Sequence, residues 1–247
     1  MKDNLKVTVI TVCYNSGSSI EKTMNSVLNQ SYDNVEYIII DGKSKDETIE
    51  IVSGYKKRFS DRGYGFRVVS EPDQGIYDAM NKGISLASGE IIGLINSGDW
   101  YEPDAVSCMV NYYSRHGFDM FYADLRIWRG DKPMIKRARQ RRFVTTRDWN
   151  HPTTFITKAV YKDFRYACRG IYDDWDLVLR IRKSGKKIVT CSQVLANFSF
   201  GGISNKKSLK AAASRTRERY RIYRENGYSR LYFFECILME TVKYLAA

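Results

Sequence analysis

The 247 residues are 43% apolar and 28% charged with only four prolines, which excludes a disordered chain and supplies enough apolar side chain for a sizeable core. No apolar run approaches the roughly 20 residues of a membrane-crossing helix, and Met1-Lys2-Asp3 leads into a strand-like run without a signal-peptide pattern. Five scattered cysteines without a CxxC pair argue against a zinc site and for reduced thiols in a cytosolic setting. The net charge of +12 is local: residues 132–147 hold seven Lys/Arg and no acid, and residues 205–247 hold ten bases against four acids. Such patches attract polyanions, anionic lipid or phosphorylated substrates.

In chain order, Leu5 to Cys13 is a β-branched strand, and Ser18 to Gln30 has helical spacing through Ile20, Met24, Val27 and Leu28. Val35 to Ile40 predicts a second buried strand ending in Asp41. The Ser44-Lys45-Asp46-Glu47 run fits a capping box for the helix that follows. Phe66–Val69 is a third strand, Gly75–Ala87 a third helix, and Glu90–Ile95 a fourth strand, with Pro103 opening another helix toward Arg115. This alternation predicts an α/β fold with a mostly parallel sheet and helices on both faces. Beyond it, Tyr122–Trp128 and Met134–Val144 read as extended segments around a Gly130-Asp131-Lys132-Pro133 turn. Tyr172–Lys183 reads as a helix, Lys187–Cys191 as a short strand and Asn197–Ser204 as a loop. Two helices, about 206–225 and 229–245, close the chain around Gly227.

The strand ends carry the chemistry. They read Val12-Cys13-Tyr14-Asn15, Asp41-Gly42, Glu71-Pro72-Asp73-Gln74-Gly75 and Asn96-Ser97-Gly98-Asp99. A parallel sheet puts all four on one edge, gathering Asp41, Asp73 and Asp99 around one crevice with Tyr14 available to stack on a flat ring. Neither a GxGxxG turn nor a GxxxxGK[ST] loop is present. Acidic strand ends repel a bare diphosphate, and a bridging Mg²⁺ or Mn²⁺ reverses that sign. Downstream, Asp173 and Asp174 open a helix beside Trp175. They either complement the helix dipole or supply a general base. His151, one of two histidines, is either structural or part of the site.

Six ordered segments over about residues 5–204 resemble a family-2 glycosyltransferase of GT-A fold, of the bacterial polysaccharide-synthesis kind. They are Val9–Asn15, Asp41–Thr48, Ser70–Gly83, Ile95–Trp100, His151–Phe155 and Asp174–Arg180. The resemblance implies a Rossmann-like nucleotide-sugar half over about 1–100, an acceptor half over about 101–204, and a basic, amphipathic helical extension over 205–247. It implies that Val12, Tyr14 and Asp41 hold the nucleotide base, that Asp73 lies along the base or ribose, and that Asn96, Ser97 and Gly98 line the diphosphate. Asp99 would ligate Mn²⁺ or Mg²⁺, and Asp174 would deprotonate the acceptor hydroxyl. His151, Asp173 and Trp175 would position acceptor or donor sugar. The implied reaction is a single inverting displacement from a UDP-sugar onto a glycan, carried on a polyprenyl diphosphate. Two positions depart from the family: Gly98 stands where another acid is common, and Met80 where relatives carry arginine, with Lys82 the nearest substitute.

From Leu231 the apolar positions Phe234, Leu238, Val242 and Leu245 follow helical spacing, interrupted by Glu235 and Glu240. This tail fits docking onto the domain, a homodimer, or an anionic membrane surface with Lys206, Lys207, Lys210, Arg215, Arg217, Arg219, Arg221 and Arg224 facing lipid. The expected location is cytoplasmic, peripheral on the inner face of the plasma membrane. A nucleic-acid partner is not expected, since the charge comes without a nucleic-acid-binding motif. The alternatives are a non-catalytic nucleotide-sugar-binding relative, which Gly98 leaves open, and, with less support, a basic nucleic-acid-binding protein.

Overall fold

The computed structural model describes residues 5–199 and 209–245. The first half runs β1 (Val7–Cys13), α1 (Gly17–Leu28), β2 (Val35–Asp41), α2 (Thr48–Gly54), α3 (Lys56–Asp61), β3 (Gly65–Ser70), α4 (Ile76–Leu86) and β4 (Ile91–Leu94). The second half adds β5 (Trp100–Tyr101), α5 (Ala105–His116), β6 (Met120–Arg129), β7 (Lys132–Lys136), β8 (Phe155–Thr157), α6 (Lys158–Asp163), α7 (Asp173–Lys183) and β9 (Ile188–Ser199). Helices α8 (Leu209–Glu225) and α9 (Tyr232–Leu245) follow.

These strands form one sheet in the order β3-β2-β1-β4-β8-β6-β9-β5, with β7 on the free side of β6. Strands β1 to β4 are mutually parallel, β8 reverses direction against both β4 and β6, and β9 is parallel to β6. The expected α/β architecture is therefore present, with a reversed strand at its centre. Every residue of β1 is buried because both sheet faces are covered. Val7, Val9, Tyr37 and Ile39 pack under α1, α2, α3 and α5 through Ile20, Met24, Val52, Phe59 and Met109. The alternate residues Ile10, Val12, Ile38 and Ile40 pack under α4, α6 and α7 through Met80, Ile84, Val160, Leu177 and Val178. Strand β3 is the edge, and its exposed Arg67 discourages further strand pairing.

Several boundaries differ from the sequence reading. The capping box does not form: Ser44 turns back to Asp41, and Asp46 instead accepts from the Thr48 N–H at 3.1 Å and the Gly17 N–H at 3.0 Å. The Met134–Val144 extension stops at Lys136, where buried Asp124 accepts from the Ala138 N–H and pairs with Arg137 at 2.6 Å. The short Lys187–Cys191 strand continues to Ser199, because Asn197 is satisfied within the sheet by Trp128 Nε1 (2.9 Å) and Glu102 (2.9 Å). The rest of the expected Asn197–Ser204 loop, Phe200–Ser204, lies outside the described residues.

Helices α8 and α9 join the core beneath α7. Ile222, Tyr223, Tyr232 and Cys236 belong to the same apolar cluster as Trp175 and Leu177. The acids that interrupt the apolar pattern point inward. Glu240 pairs with Arg215 at 2.8 Å and Arg219 at 2.9 Å, all three at least nine-tenths buried. Arg215 and Arg219 are thus committed to the interior and do not face lipid, as the sequence reading had them. Arg219 also donates to the Tyr172 hydroxyl at 2.8 Å, at the start of α7.

The junction of β4 and β8 requires a glycine. A Cβ on Gly93 would sit 2.4 Å from Phe155 Cε1 and 3.0 Å from the Tyr101 hydroxyl. Gly93→Ala is expected to destabilise the fold by about 1–3 kcal/mol through overpacking. Urea denaturation measures this, and adding Phe155→Leu should restore part of the loss.

Candidate functional site

The carboxyl ends of β1, β2, β3 and β4 come together as expected from a parallel sheet. The Ser97 N–H reaches the Val12 carbonyl at 3.4 Å, and the Ser97 hydroxyl meets that of Ser19 at 3.1 Å. A Cβ at Gly42 would lie 2.4 Å from Asp73 Oδ2 and 3.4 Å from the Tyr14 ring, so Tyr14, Gly42 and Asp73 converge on one spot. Tyr14 is 56% exposed there, which leaves a ring face open for stacking. The Asp73 carboxylate accepts from the Gly75 N–H at 2.9 Å, which fixes the turn into α4.

Asp41 is fully buried. Its oxygens accept from the Ser44 hydroxyl and N–H (3.0 Å for the N–H) and from the Ser70 hydroxyl at 2.6 Å. The Cys13 thiol is also directed at it, 3.8 Å away, and burial together with that carboxylate pushes the thiol well above its usual pKa. Asp41 therefore ties the ends of β1, β2 and β3 to one another.

At the end of β4 the chain turns through Gly98, whose φ of +96° is strained for any L side chain. Thr23 of α1 secures the turn, accepting from the Gly98 N–H at 2.9 Å and donating to the Asp99 carbonyl at 2.7 Å. The Asp99 carboxyl is 5% exposed, and burial raises its pKa to about 7 against a hydrogen bond from the Ser199 backbone. Nearby in sequence, Asn96 Oδ1 is buried without a hydrogen-bond partner.

The second cluster forms at the start of α7. Asp174 is half-buried, accepts from its neighbour's Trp175 N–H at 2.7 Å, and has its pKa raised to about 6, principally by burial. The Tyr77 hydroxyl, which donates to the Ile171 carbonyl at 3.0 Å, and the Lys136 charge both act on it in favour of the carboxylate. Lys136 donates to the carbonyls of Trp149 (2.6 Å) and Thr146 (3.0 Å), and burial lowers its pKa to about 8. Asp173 is buried and accepts from the Arg169 and Gly170 N–H groups, so it holds the preceding turn. Trp175 is buried against Trp149, with ring centroids 5.8 Å apart. His151 stands edge-on to the other side of Trp149 at 5.8 Å, and burial lowers its pKa to about 4, so it is neutral near pH 7. Asn81 of α4 secures the adjoining turn by donating to the Tyr166 carbonyl at 2.9 Å and the Cys168 thiol at 3.4 Å.

Helix α4 links the clusters. Asp73 holds its entry, while Tyr77 in its first turn reaches Asp174 and the Ile171 carbonyl (3.0 Å). Tyr77, Lys136 and Thr23 were missed as site residues. Tyr77 lay within a recognised motif, Lys136 was counted only among surface cations, and Thr23 looked like any residue on a helix. Lys82 is engaged by Glu71 at 3.0 Å and Asp78 at 3.4 Å, and Met80 is core.

The chain belongs to glycosyl transferase family 2, whose sequence profile matches residues 8–174. An uncharacterized glycosyltransferase of Mycobacterium tuberculosis is 38% identical over 113 residues, spanning 45% of this chain and 41% of that relative. Among solved structures, S. aureus TarS in complex with UDP-GlcNAc is similar with a TM-score of 0.69 at 16% identity, over 98% of this chain and 73% of that one. The mannosyltransferase PcManGT of Pyrobaculum calidifontis, in complex with GDP-Man and Mn²⁺, has a TM-score of 0.68 at 17% identity, over 98% and 71% of the two chains. At these identities the structural likeness establishes the fold.

Asp41→Ala would leave buried donors from Ser44 and Ser70 without an acceptor. At about 1–3 kcal/mol for each unmet buried group, it is expected to lower the thermal midpoint by several degrees. A thermal melt against wild type checks this.

Proposed function

We propose that this chain is an inverting, divalent-metal-dependent hexosyltransferase that moves a sugar from a UDP-sugar to a hydroxyl of a glycan carried on a polyprenyl diphosphate, in cell-surface polysaccharide synthesis. The observation that carries the reading is Asp174: a half-buried carboxylate with a pKa raised to about 6, joined through Tyr77 and α4 to the acidic strand-end crevice. A base of that pKa is ionised near neutrality and still basic enough to accept a proton in the transition state.

Tyr14 would stack on the base, with Val12, Asp41 and Asp73 around it, and Asn96, Ser97 and Gly98 along the diphosphate. The similarity to proteins crystallised with UDP-GlcNAc and with GDP-Man supports a nucleotide-sugar donor. Among the described residues no three His, Cys, Asp or Glu side chains gather into a metal-binding group. Asp99 and the unpartnered oxygen of Asn96 nevertheless fit Mg²⁺ or Mn²⁺, ions that are commonly held by one or two carboxylates with substrate phosphates and water. When bound, the cation supplies charge neutralisation for the departing nucleoside diphosphate. Asp174 takes the acceptor proton as the acceptor oxygen bonds to the anomeric carbon and the bond from that carbon to the phosphate oxygen breaks, inverting the centre. His151, neutral, with Asp173 and Trp175, would set the acceptor's approach. The proposed place of work is the cytoplasmic face of the plasma membrane.

Asp174→Asn is expected to reduce transfer by at least about a thousandfold while UDP binding survives in calorimetric titration. Comparable turnover by that variant would remove Asp174 as base. Asp99→Ala is expected to lose Mn²⁺-dependent UDP binding, and GDP titrated in parallel tests the choice of nucleotide.

The pH profile has a defined sign. Asp174 must be ionised, so under saturating Mn²⁺, which keeps Asp99 in its carboxylate form, kcat/KM is expected to fall about tenfold per unit as pH drops below about 6 and to level above it. Tyr77→Phe removes a hydroxyl that favours the carboxylate, and should move this limb to higher pH.

A further inference from the structure

The two acids of α9 are turned into the protein, and among its described side chains, 232–242, no charged one is exposed. Glu235 and Glu240 are buried with Tyr232 and Cys236, while Leu231, Phe233, Phe234, Ile237, Leu238 and Val242 are all exposed. Leu231 and Phe234 are about two-thirds open to solvent and Leu238 is 57% exposed. A contiguous apolar stripe of this kind is what soluble surfaces avoid unless something covers it.

The surroundings of the stripe are cationic. The 137–147 loop lies against α9: the Phe143 ring stacks on Tyr232 with centroids 4.5 Å apart, and the Val144 N–H reaches the Tyr232 hydroxyl at 3.0 Å. Arg147 closes the same loop, and its charge acts on Glu235 of α9. Phe143 is itself 53% exposed and extends the apolar surface, and Arg142, Arg147 and Arg230 are exposed around it. The cations of this face therefore come from the 137–147 loop and the entry to α9, rather than from the inward-turned arginines of α8.

We infer that the outer face of α9, with Phe143 and its flanking arginines, is a docking surface for an anionic lipid bilayer, on which α9 lies in the plane of the interface. An apolar stripe bordered by guanidinium groups matches an interface with hydrocarbon beneath and phosphate at its rim. A second copy of the chain fits less well, because a two-fold pairing across this face would bring its arginine rims together. The helix lies on the membrane rather than crossing it. Its 14 residues span about 21 Å, short of a hydrocarbon core of about 30 Å. The inner edge of α9 reaches Tyr172 through Glu240 and Arg219, so the docked face adjoins the start of α7. The inference is independent of sugar transfer, since vesicle binding is read without donor or acceptor.

The test is vesicle flotation of the full chain with phosphatidylcholine alone and with added phosphatidylglycerol, alongside light scattering for mass. Wild type is expected to bind the phosphatidylglycerol vesicles and to weaken with salt. Phe234→Glu with Leu238→Glu should cost at least about tenfold in binding while leaving the unfolding midpoint at or above the wild-type value. Should that pair fail to fold, Phe234→Ser at the most exposed position reads the same loss. Arg142→Gln and Arg147→Gln should each weaken binding about fivefold, on phosphatidylglycerol vesicles only. Absence of wild-type binding, or wild-type affinity in the folded glutamate variant, overturns the inference. So does a wild-type dimer that the glutamate variant dissociates while vesicles stay unbound, which would assign the face to a second copy.

Discussion

The two halves of the molecule meet where β8 runs antiparallel to β4, and that contact sets the turn after β4 against the aromatics before β8. Phe155 crosses over β4 only because position 93 carries no side chain. On the β4 side the chain proceeds directly to Asn96, Ser97, Gly98 and Asp99, and on the β8 side it arrives from His151. The turn that follows β4 and the aromatics that precede β8 are therefore anchored to the same pair of strands. A shift of β8 would move one set relative to the other, and catalysis by positioning tolerates little such displacement.

A second layer of constraint comes from the far end of the chain. The helices after residue 208 brace α7 from beneath. Tyr223 packs on Trp175, the Asn226 amide donates to Asp176 at 2.8 Å, and Glu218 receives the Ile171 N–H at 2.7 Å. These contacts hold the turn from Arg169 to Tyr172 that delivers Asp174. A buried cluster of one carboxylate and two guanidinium groups is a weak source of net stability, because its desolvation offsets its attraction. Its effect is geometric: it fixes how α8, α9 and α7 sit relative to one another.

The parallel half was legible because its strands are unbroken β-branched runs whose ends carry acids, and period and composition agree there. The second half was harder for a physical reason. Phe155–Thr157 is only three residues long, and its strand identity depends on two neighbours far away in sequence. Asn197 looked like a turn residue, yet its amide is satisfied by a tryptophan and a glutamate brought in from other strands. The site shows the same split. Strand-end acids were visible one at a time, whereas Lys136 and Tyr77 acquire meaning only through the fold that carries them to Asp174. The tail was read correctly as amphipathic but with its acids as interruptions. They mark the buried side, where Arg215 and Arg219 meet Glu240.

The turn that Asn81 holds against Tyr166 has a practical corollary. Of the five thiols, Cys13, Cys191 and Cys236 are buried and Cys108 is half-buried, while Cys168 stands exposed at that turn. A thiol-directed fluorophore added to the native protein would therefore attach there first. It would sit a few residues from Asp174, an optical handle placed beside the start of α7 without any engineered change to the sequence.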